Sequence, residues 1–152
     1  MRLLILHVDR FAYTVTEAGR SRLREEVAGR SHAVEEALLA LASVEREDAA
    51  APAEVAERAA TEIARLARQL GVEQVVLHPF AHLFGEPSAP AVAVAVLDAT
   101  KARLEADGLG VHRSPFGWFT RWDLQAKGHP LSRVGRIVRP AAANTDPERE
   151  TS

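Results

Sequence analysis

The chain has 152 residues, of which 47% are apolar, and this size predicts one domain with a hydrophobic core. Its formal net charge of −2 gives the chain as a whole no basic footprint for gripping duplex nucleic acid. It contains no cysteine and no segment that could span a membrane or act as a signal peptide, which excludes disulfides, thiolate chemistry and a membrane partner and favours a cytoplasmic protein.

The N-terminal part of the chain is predicted to be rich in β-structure. The apolar run from Leu3 to Val8 has the length of a buried strand, and Phe11 to Val15 alternates like a half-exposed one. Because only Asp9 and Arg10 separate the two runs, we predict a hairpin. The segment from Ala18 to His32 is charged and contains two glycines, which predicts an irregular loop.

The middle of the chain predicts a strand-helix-strand crossover. The apolar segment from Ala37 to Val44 is compatible with helix or strand, and the helix and strand predicted after it favour a strand. From Pro52 to Leu70 apolar residues recur at helical spacing, and Gly71 is suited to end that helix. Val75 to Leu77 is then a short buried strand, so we expect the two strands to be parallel.

The C-terminal part adds a helix and three strands. The segment from Ala91 to Ala106 is predicted to be helical, with Pro90 at its start. Further strands are expected near Val111, from Trp118 onwards and from Val134 to Val138. We therefore predict an α/β domain over residues 1–140, in which two helices cover a mixed β-sheet layer, and a tail or linker stub over residues 141–152.

Half of the eight aromatic residues lie in one short stretch between Phe116 and Trp122. Pro115 and Gly117 predict a turn, after which the side chains alternate between two faces of a strand. A second turn, K-G-H-P, comes next and carries Lys127 and an imidazole. An aromatic surface beside cations is suited to a small anionic or nucleotide-like ligand.

The histidines are the other candidates for chemistry. His78 and His82 have the spacing of a zinc pair on a helix, but Pro79 and the preceding strand argue for extended chain, which would separate the rings by about 13 Å. His78 is better interpreted as a packed residue at a strand end. His82 lies where the strand opens into the following loop, and it could either contact a ligand or have a structural role. His129 could either contact a ligand or support a turn formed around its ring. The sequence contains no G-x-S-x-G nucleophile motif.

Five blocks of sequence together carry a family resemblance: L-I-L-H-V-D, L-A-S-V-E, V-V-L-H-P-F-A-H-L, S-P-F-G-W-F and K-G-H-P-L. In this order, from Met1 to about Pro140, they resemble the N-terminal editing domain of archaeal threonyl-tRNA synthetases. That family is similar in fold to the dimeric D-aminoacyl-tRNA deacylases. The resemblance implies a homodimeric deacylase that removes serine mistakenly attached to tRNA(Thr), either as a separate chain or fused to a synthetase.

The resemblance also implies where the substrate binds. Backbone atoms would exclude the methyl group of threonine and hold the amino group, while the 2′-hydroxyl of the terminal adenosine helps to position or activate the attacking water. It implies no metal and no cofactor. The residues implied in catalysis are His82 and Thr120, and those implied in substrate binding are Val44, Pro79, Ala81, Phe116, Gly117, Trp118, Phe119, Lys127 and His129.

Two positions depart from the pattern of the family. Thr120 stands where relatives commonly carry a lysine, and Arg133 where they place an acidic residue. Arg121 is the nearest cation, but strand alternation sends it to the opposite face from Thr120. Two other functions stay open: a D-aminoacyl-tRNA deacylase in the strict sense, and a non-catalytic module that binds the 3′ end of tRNA.

Overall fold

The computed structural model describes residues 1–83 and 85–141, and one long strand lies at the centre of its sheet. This strand, β1 (Arg2–Ala18), pairs antiparallel along one edge with β2 (Ser31–Ser43). β3 (Gln74–Pro79) and β4 (Gly110–Arg113) continue the sheet beyond β2 in parallel. The other edge of β1 is shared by two antiparallel strands, β5 (Trp118–Ala126) and β6 (Arg133–Ile137).

The predicted hairpin at Asp9 and Arg10 is wrong, because β1 runs through both residues. The register between β1 and β5 shifts by one residue between Val8 and Arg10, so Asp9 forms a β-bulge. This bulge places Val8 and Phe11 in the same buried cluster, although their spacing is odd. One strand can therefore bury two apolar runs that are out of phase. The antiparallel neighbour of β1 along the chain is β2, not a second strand within residues 11–15.

The crossover and both helices are confirmed. α1 (Pro52–Leu70) connects β2 to its parallel neighbour β3, and α2 (Pro90–Ala106) connects β3 to β4. Each helix begins at a proline, whose missing N–H has no partner to lose in the first turn. Gly71 ends α1 with a φ of 67°, a left-handed conformation that glycine adopts without strain.

The core is divided between the two faces of the sheet. α1 and α2 pack on one face and bury its apolar side chains almost completely. The other face has no helix among the described residues, and its centre is covered in part by inward side chains of β5 such as Trp118 and Trp122. The predicted α/β class, with a mixed sheet and two covering helices, is thus confirmed.

Three further expectations can be compared with the structure. The described helices include none that is long and apolar enough to cross a membrane. The predicted loop is shorter than expected, since only residues 19–30 lie between β1 and β2. The predicted tail lies outside the described residues apart from Ala141.

Candidate active site

A cavity of about 420 Å³ lies where several chain segments meet at the ends of the strands. Its walls come from the C-terminal ends of β2 and β3, the turn that leads into β5, the start of the segment after β1, and α2. Eight of the predicted site residues line it together: Val44, Pro79, Ala81, His82, Phe116, Gly117, Trp118 and Phe119. Topology therefore brings together residues from three separate sequence blocks.

The floor of the cavity is main chain from two parallel strands as they end. The Phe80 N–H donates to the Ala42 carbonyl at 2.9 Å, and the Ser88 N–H donates to the Val44 carbonyl at 3.0 Å. Among the described residues, no hydrogen bond uses the amide N–H of Val44 or Ala81. These two amides are therefore available as donors to a carbonyl oxygen or to a developing oxyanion.

The loop after Ala81 is attached closely to the chain that follows Val44. Glu45 forms an isolated β-bridge with Pro87 and, through its carboxylate, an ion pair with Arg2 at 3.1 Å. That carboxylate occupies the space beside Gly85, where a Cβ would lie only 1.3 Å from Oε2. A glycine at this position lets the loop lie against Glu45, which fixes one side of the cavity.

Another part of the wall is the turn Ser114 to Gly117, in which both backbone groups of Phe116 are paired with Glu25. The Phe116 N–H donates to Glu25 Oε1 at 2.7 Å, and the Glu25 N–H donates to the Phe116 carbonyl at 3.0 Å. The Trp118 indole N–H donates to the Glu25 carbonyl at 2.8 Å. Both backbone groups of Phe116 are thus occupied, which leaves this residue to act as a rigid wall.

Glu25 is itself held by a buried cation. Its carboxylate accepts hydrogen bonds from both terminal nitrogens of Arg113. The Arg113 side chain is only 8% exposed and also contacts Asp98 on α2. Hydrogen bonds from Arg113 lower the pKa of Glu25 below its usual value, against the opposing effect of burial. The turn is therefore tied by a charged bridge to both the segment after β1 and α2.

Few reactive side chains reach the cavity. His82 is exposed at its mouth, with its ring edge-on to Phe80 at 5.4 Å between centroids. Phe119 is 50% exposed, and Arg20 is the other ionisable side chain of the lining. Among the described residues, no three His, Asp or Glu side chains cluster in a way that could hold a metal ion. The lining suits recognition by shape and by amide donors, with an exposed ring for stacking.

Comparison with known sequences assigns the family. Residues 1–138 match the family described as the archaea-specific editing domain of threonyl-tRNA synthetase. The chain belongs to this family. Membership makes it an editing domain, that is, a hydrolase that deacylates aminoacyl-tRNA, and it confirms the resemblance carried by the five sequence blocks.

Curated relatives show the same relationship. The editing domain is 36% identical over 151 residues to a threonine–tRNA ligase of Methanoculleus marisnigri and 38% identical over 152 residues to that of Methanosarcina mazei. Each match covers 99% of this chain and 24% of the relative. A ligase of Methanopyrus kandleri is 38% identical over 94% of the chain. The chain thus spans about a quarter of the length of these relatives.

A solved structure supports the fold. The c-Myc DNA Unwinding Element Binding Protein superposes with a TM-score of 0.57 over 92% of this chain and 100% of its own, at 12% identity. At this identity the likeness concerns the fold alone. The predicted D-aminoacyl-tRNA deacylase-like class of the editing domain is confirmed.

Three predicted site residues lie away from the cavity lining. Thr120 accepts a hydrogen bond from the Trp122 indole at 2.8 Å and lies 3.4 Å from His78 Nε2. Lys127 and His129 follow the far end of β5, where Lys127 binds Asp9 and Glu36. The structure does not bring these three to the pocket of the editing domain. The catalytic role of Thr120 and the substrate-binding roles of Lys127 and His129 stay predictions.

His78 belongs to a buried polar chain beneath the cavity wall. Its Nδ1 lies 2.8 Å from the Ser114 hydroxyl, and the ring is only 5% exposed. Burial, with a smaller effect of His112, lowers the pKa of His78 to about 4. The ring is therefore neutral at pH 7 and serves as packing and hydrogen bonding, as the sequence predicted.

The sequence interpretation missed the residues that hold the pocket in shape. Glu25 was included in an irregular loop, and Arg113 and Gly85 were not singled out. Side chains in the segment from Arg20 to Val27 alternate between exposed and half-buried. The arginines occupy every second position from Arg20 to Arg24. That period of two could have predicted an extended segment with one face turned towards the protein.

Proposed function

We propose that this editing domain hydrolyses L-serine mischarged on tRNA(Thr), with the aminoacyl group in the 420 Å³ cavity. The observation that carries the proposal is the construction of that cavity, which is lined by main chain from two strand ends and by a rigid turn. Among the described residues it offers unpaired amide donors at Val44 and Ala81 and, apart from Arg20 and His82, no ionisable side chain.

Selection by such a cavity depends on its rigidity. Serine and threonine differ by one methyl group, and an attractive pocket gains only about 1–3 kcal/mol from a methyl, roughly 10- to 200-fold. A wall that cannot move excludes the larger side chain instead. Pro79 and Phe116 both line the cavity, and the latter is fixed through both of its backbone groups.

The reaction requires little from side chains. A water oxygen forms a bond to the ester carbonyl carbon, the bond from that carbon to the ribose 3′-oxygen breaks, and a proton passes to the leaving 3′-oxygen. Amide N–H groups of Val44 and Ala81 would stabilise the developing oxyanion. We assign activation of the water to the neighbouring 2′-hydroxyl of the RNA and the positioning of the adenosine to His82, Trp118 and Phe119.

The partners are part of the same proposal. The cognate RNA is tRNA(Thr) with serine on its 3′ end, and the catalytic part of a threonyl-tRNA synthetase, fused or separate, supplies it in the cytoplasm. We also propose a homodimer. The helix-free face of the sheet carries half-buried apolar side chains that a second copy would cover: Leu4, Val34, Phe80, Trp122 and Leu124.

The test is a deacylation assay with three substrates. We expect the domain to release serine from Ser-tRNA(Thr) at least about 10-fold faster than threonine from Thr-tRNA(Thr). Preference for a D-aminoacyl-tRNA would indicate a strict D-aminoacyl-tRNA deacylase, and binding without release would indicate a non-catalytic module. Serine release no faster than in buffer would refute the proposal.

A second substrate isolates the contribution of the RNA. Ser-tRNA(Thr) whose terminal adenosine lacks the 2′-hydroxyl should bind with unchanged affinity and react at least about 100-fold more slowly, the scale of lost acid-base assistance. Undiminished hydrolysis would assign the activation of water to the protein. Sedimentation of the purified chain tests the homodimer in parallel.

A further inference from the structure

Three of the four arginines in the segment between β1 and β2 occupy alternate positions; we call this segment the arm (residues 19–30). Arg20, Arg22 and Arg24 are exposed, whereas the residues between them, Ser21 and Leu23, are half-buried. None of the three forms an ion pair with any residue that the structure describes. The arm therefore presents a row of uncompensated positive charge on one side.

The row begins at the candidate active site. Arg20 lines the 420 Å³ cavity together with Gly19 and Ser21, and the row continues away from it. In an extended chain, side chains two residues apart are separated by about 6.6 Å. This separation resembles that of successive phosphates along a nucleic acid strand, so consecutive arginines can each meet one phosphate.

The arm is held firmly against the pocket wall. The Gly19 N–H donates to the Gly117 carbonyl at 2.8 Å, and both backbone groups of Phe116 pair with Glu25, one with its N–H and one with its carboxylate. Gly117 lies so close that a Cβ there would approach the Leu23 carbonyl oxygen to 2.6 Å. The positions of the arginines relative to the cavity are therefore fixed before any ligand binds.

The two sides of the arm differ in charge, which indicates the side on which a polyanion would bind. Behind the arm, a second cavity is lined by five charged side chains: Glu25, Glu26, Asp98, Lys101 and Arg113. Arg113 is already paired with two of the three carboxylates, so the charges there nearly balance and that cavity attracts a polyanion less than the row does. At the exposed positions of the arm, the three arginines precede Glu26, so the positive charge is concentrated at the end next to the active-site cavity. Their planar guanidinium groups suit bidentate contact with phosphate.

We propose that Arg20, Arg22 and Arg24 bind the phosphates of the single-stranded RNA end that enters the cavity. This inference rests on the proposed function, because it assigns to the same site the path of its substrate. The contacts are made to the backbone of the strand, so they position the RNA and read no base. They would also add affinity that falls with salt.

The experiment compares two double variants of equal charge. Arg22→Gln/Arg24→Gln removes two members of the row outside the cavity lining, and Arg65→Gln/Arg68→Gln removes two exposed arginines of α1. Affinity for an uncharged RNA hairpin with a single-stranded CCA end is measured against salt concentration. A seryl-adenosine analogue that lacks upstream phosphates is the second probe.

We expect the plot of log affinity against log salt to lose about 1.4 of its slope in the arm variant, about 0.7 for each single-strand phosphate contact, and little in the α1 variant. Affinity for the seryl-adenosine analogue should not change. Equal slopes of log affinity against log salt for both variants would show that the arginines of the row are exposed to solvent and do not contact the RNA. Loss of analogue binding in the arm variant would place its effect in the pocket and also overturn the proposal.

Failure of this inference can be told apart from failure of the proposed function. If the wild-type chain hydrolyses Ser-tRNA(Thr) while both variants keep its salt dependence, the arm is excluded and the editing activity stands. If the slope changes as expected but no serine is released, the RNA path stands and the proposed hydrolysis is wrong.

Discussion

Glu25 and Phe116 are joined by two reciprocal hydrogen bonds, from the Phe116 N–H to the Glu25 carboxylate at 2.7 Å and from the Glu25 N–H to the Phe116 carbonyl at 3.0 Å. Residues 91 positions apart in the chain thereby form one unit of the pocket wall. Arg113 completes this unit by pairing with the same carboxylate. The shape of the candidate active site thus depends on a residue that lies outside it.

Replacing Glu25 by glutamine should loosen this wall. The amide nitrogen would face the largely buried guanidinium of Arg113, so the free energy of unfolding should fall by about 2 kcal/mol. Deacylation should fall as well, with discrimination between serine and threonine reduced, because a mobile wall no longer excludes the methyl group. Denaturant unfolding and kcat/KM for both substrates measure the two effects. Glu26→Gln is the matched control, since its side chain is exposed; equal effects of the two changes would contradict the role of Glu25.

Replacing Gly117 by alanine should distort the same turn. Gly117 has a φ of 93°, and an added Cβ would lie 2.6 Å from the Leu23 carbonyl oxygen. We expect a loss of at least about 2 kcal/mol in stability, because backbone strain and the contact act together. Thermal unfolding tests this expectation against Gly128→Ala, where a Cβ meets no atom within 4 Å. Unchanged stability of the Gly117 variant would show that the arm can move away.

His78 should make stability depend on pH in a defined window. Burial lowers its pKa from 6.5 to about 4 in the folded chain, so between these values the unfolded chain binds more protons. The contribution of neutral His78 to the free energy of unfolding is therefore complete above pH 6.5 and is lost as the pH falls towards 4. It amounts to about 3 kcal/mol for a pKa shift of this size.

The matched variants for this prediction separate titration from packing. His78→Asn removes the titrating ring while retaining a donor towards Ser114, so its unfolding free energy should change less steeply with pH between 6.5 and 4. Ser114→Ala removes the hydrogen bond and leaves the ring, so the steepness should remain. An unchanged slope in the asparagine variant would exclude His78 as the source. His112, whose pKa is also lowered to about 4, chiefly by burial, contributes to the remaining slope, as does His7, whose pKa is lowered chiefly by burial.

Lys127 is expected to stabilise the bulge in β1. Its ammonium group contacts Asp9 at the bulge and Glu36, which has a φ of 47° in the neighbouring strand. These two carboxylates raise the pKa of Lys127 through hydrogen bonds. Lys127→Met should lower the unfolding midpoint at low salt and less at high salt, because both carboxylates are exposed to screening ions. The single-turnover rate of deacylation should be unchanged. A lower rate in a variant that is fully folded would support the predicted contact between Lys127 and the substrate.

The sequence was sufficient for elements that carry their own periodicity. The spacing of apolar residues along α1 and the alternation along β5 are local, so the helix, the crossover and the inward face of the aromatic strand could be predicted. The loops that form the cavity could also be named, since Val44, Pro79, Ala81 and Phe116 belong to blocks of family sequence.

The features that could not be predicted depend on contacts between distant segments. The bulge at Asp9 arises from the pairing of β1 with β5, which lies more than 100 residues away in the chain. The position of Lys127 is decided by that bulge and by the positive φ of Glu36. Its motif, K-G-H-P-L, identifies the family, but the motif contains no information about which carboxylates the lysine meets.

The central claim is that main chain of the strand ends and the turn enclose the seryl group. A crystal structure of the domain with a non-hydrolysable seryl-adenosine analogue tests it most directly. We predict the seryl group in the cavity, with its carbonyl oxygen within hydrogen-bond distance of the Val44 or Ala81 amide and its side chain against Pro79 or Phe116. A seryl group bound elsewhere, or held in the cavity mainly by charged side chains, would contradict the claim.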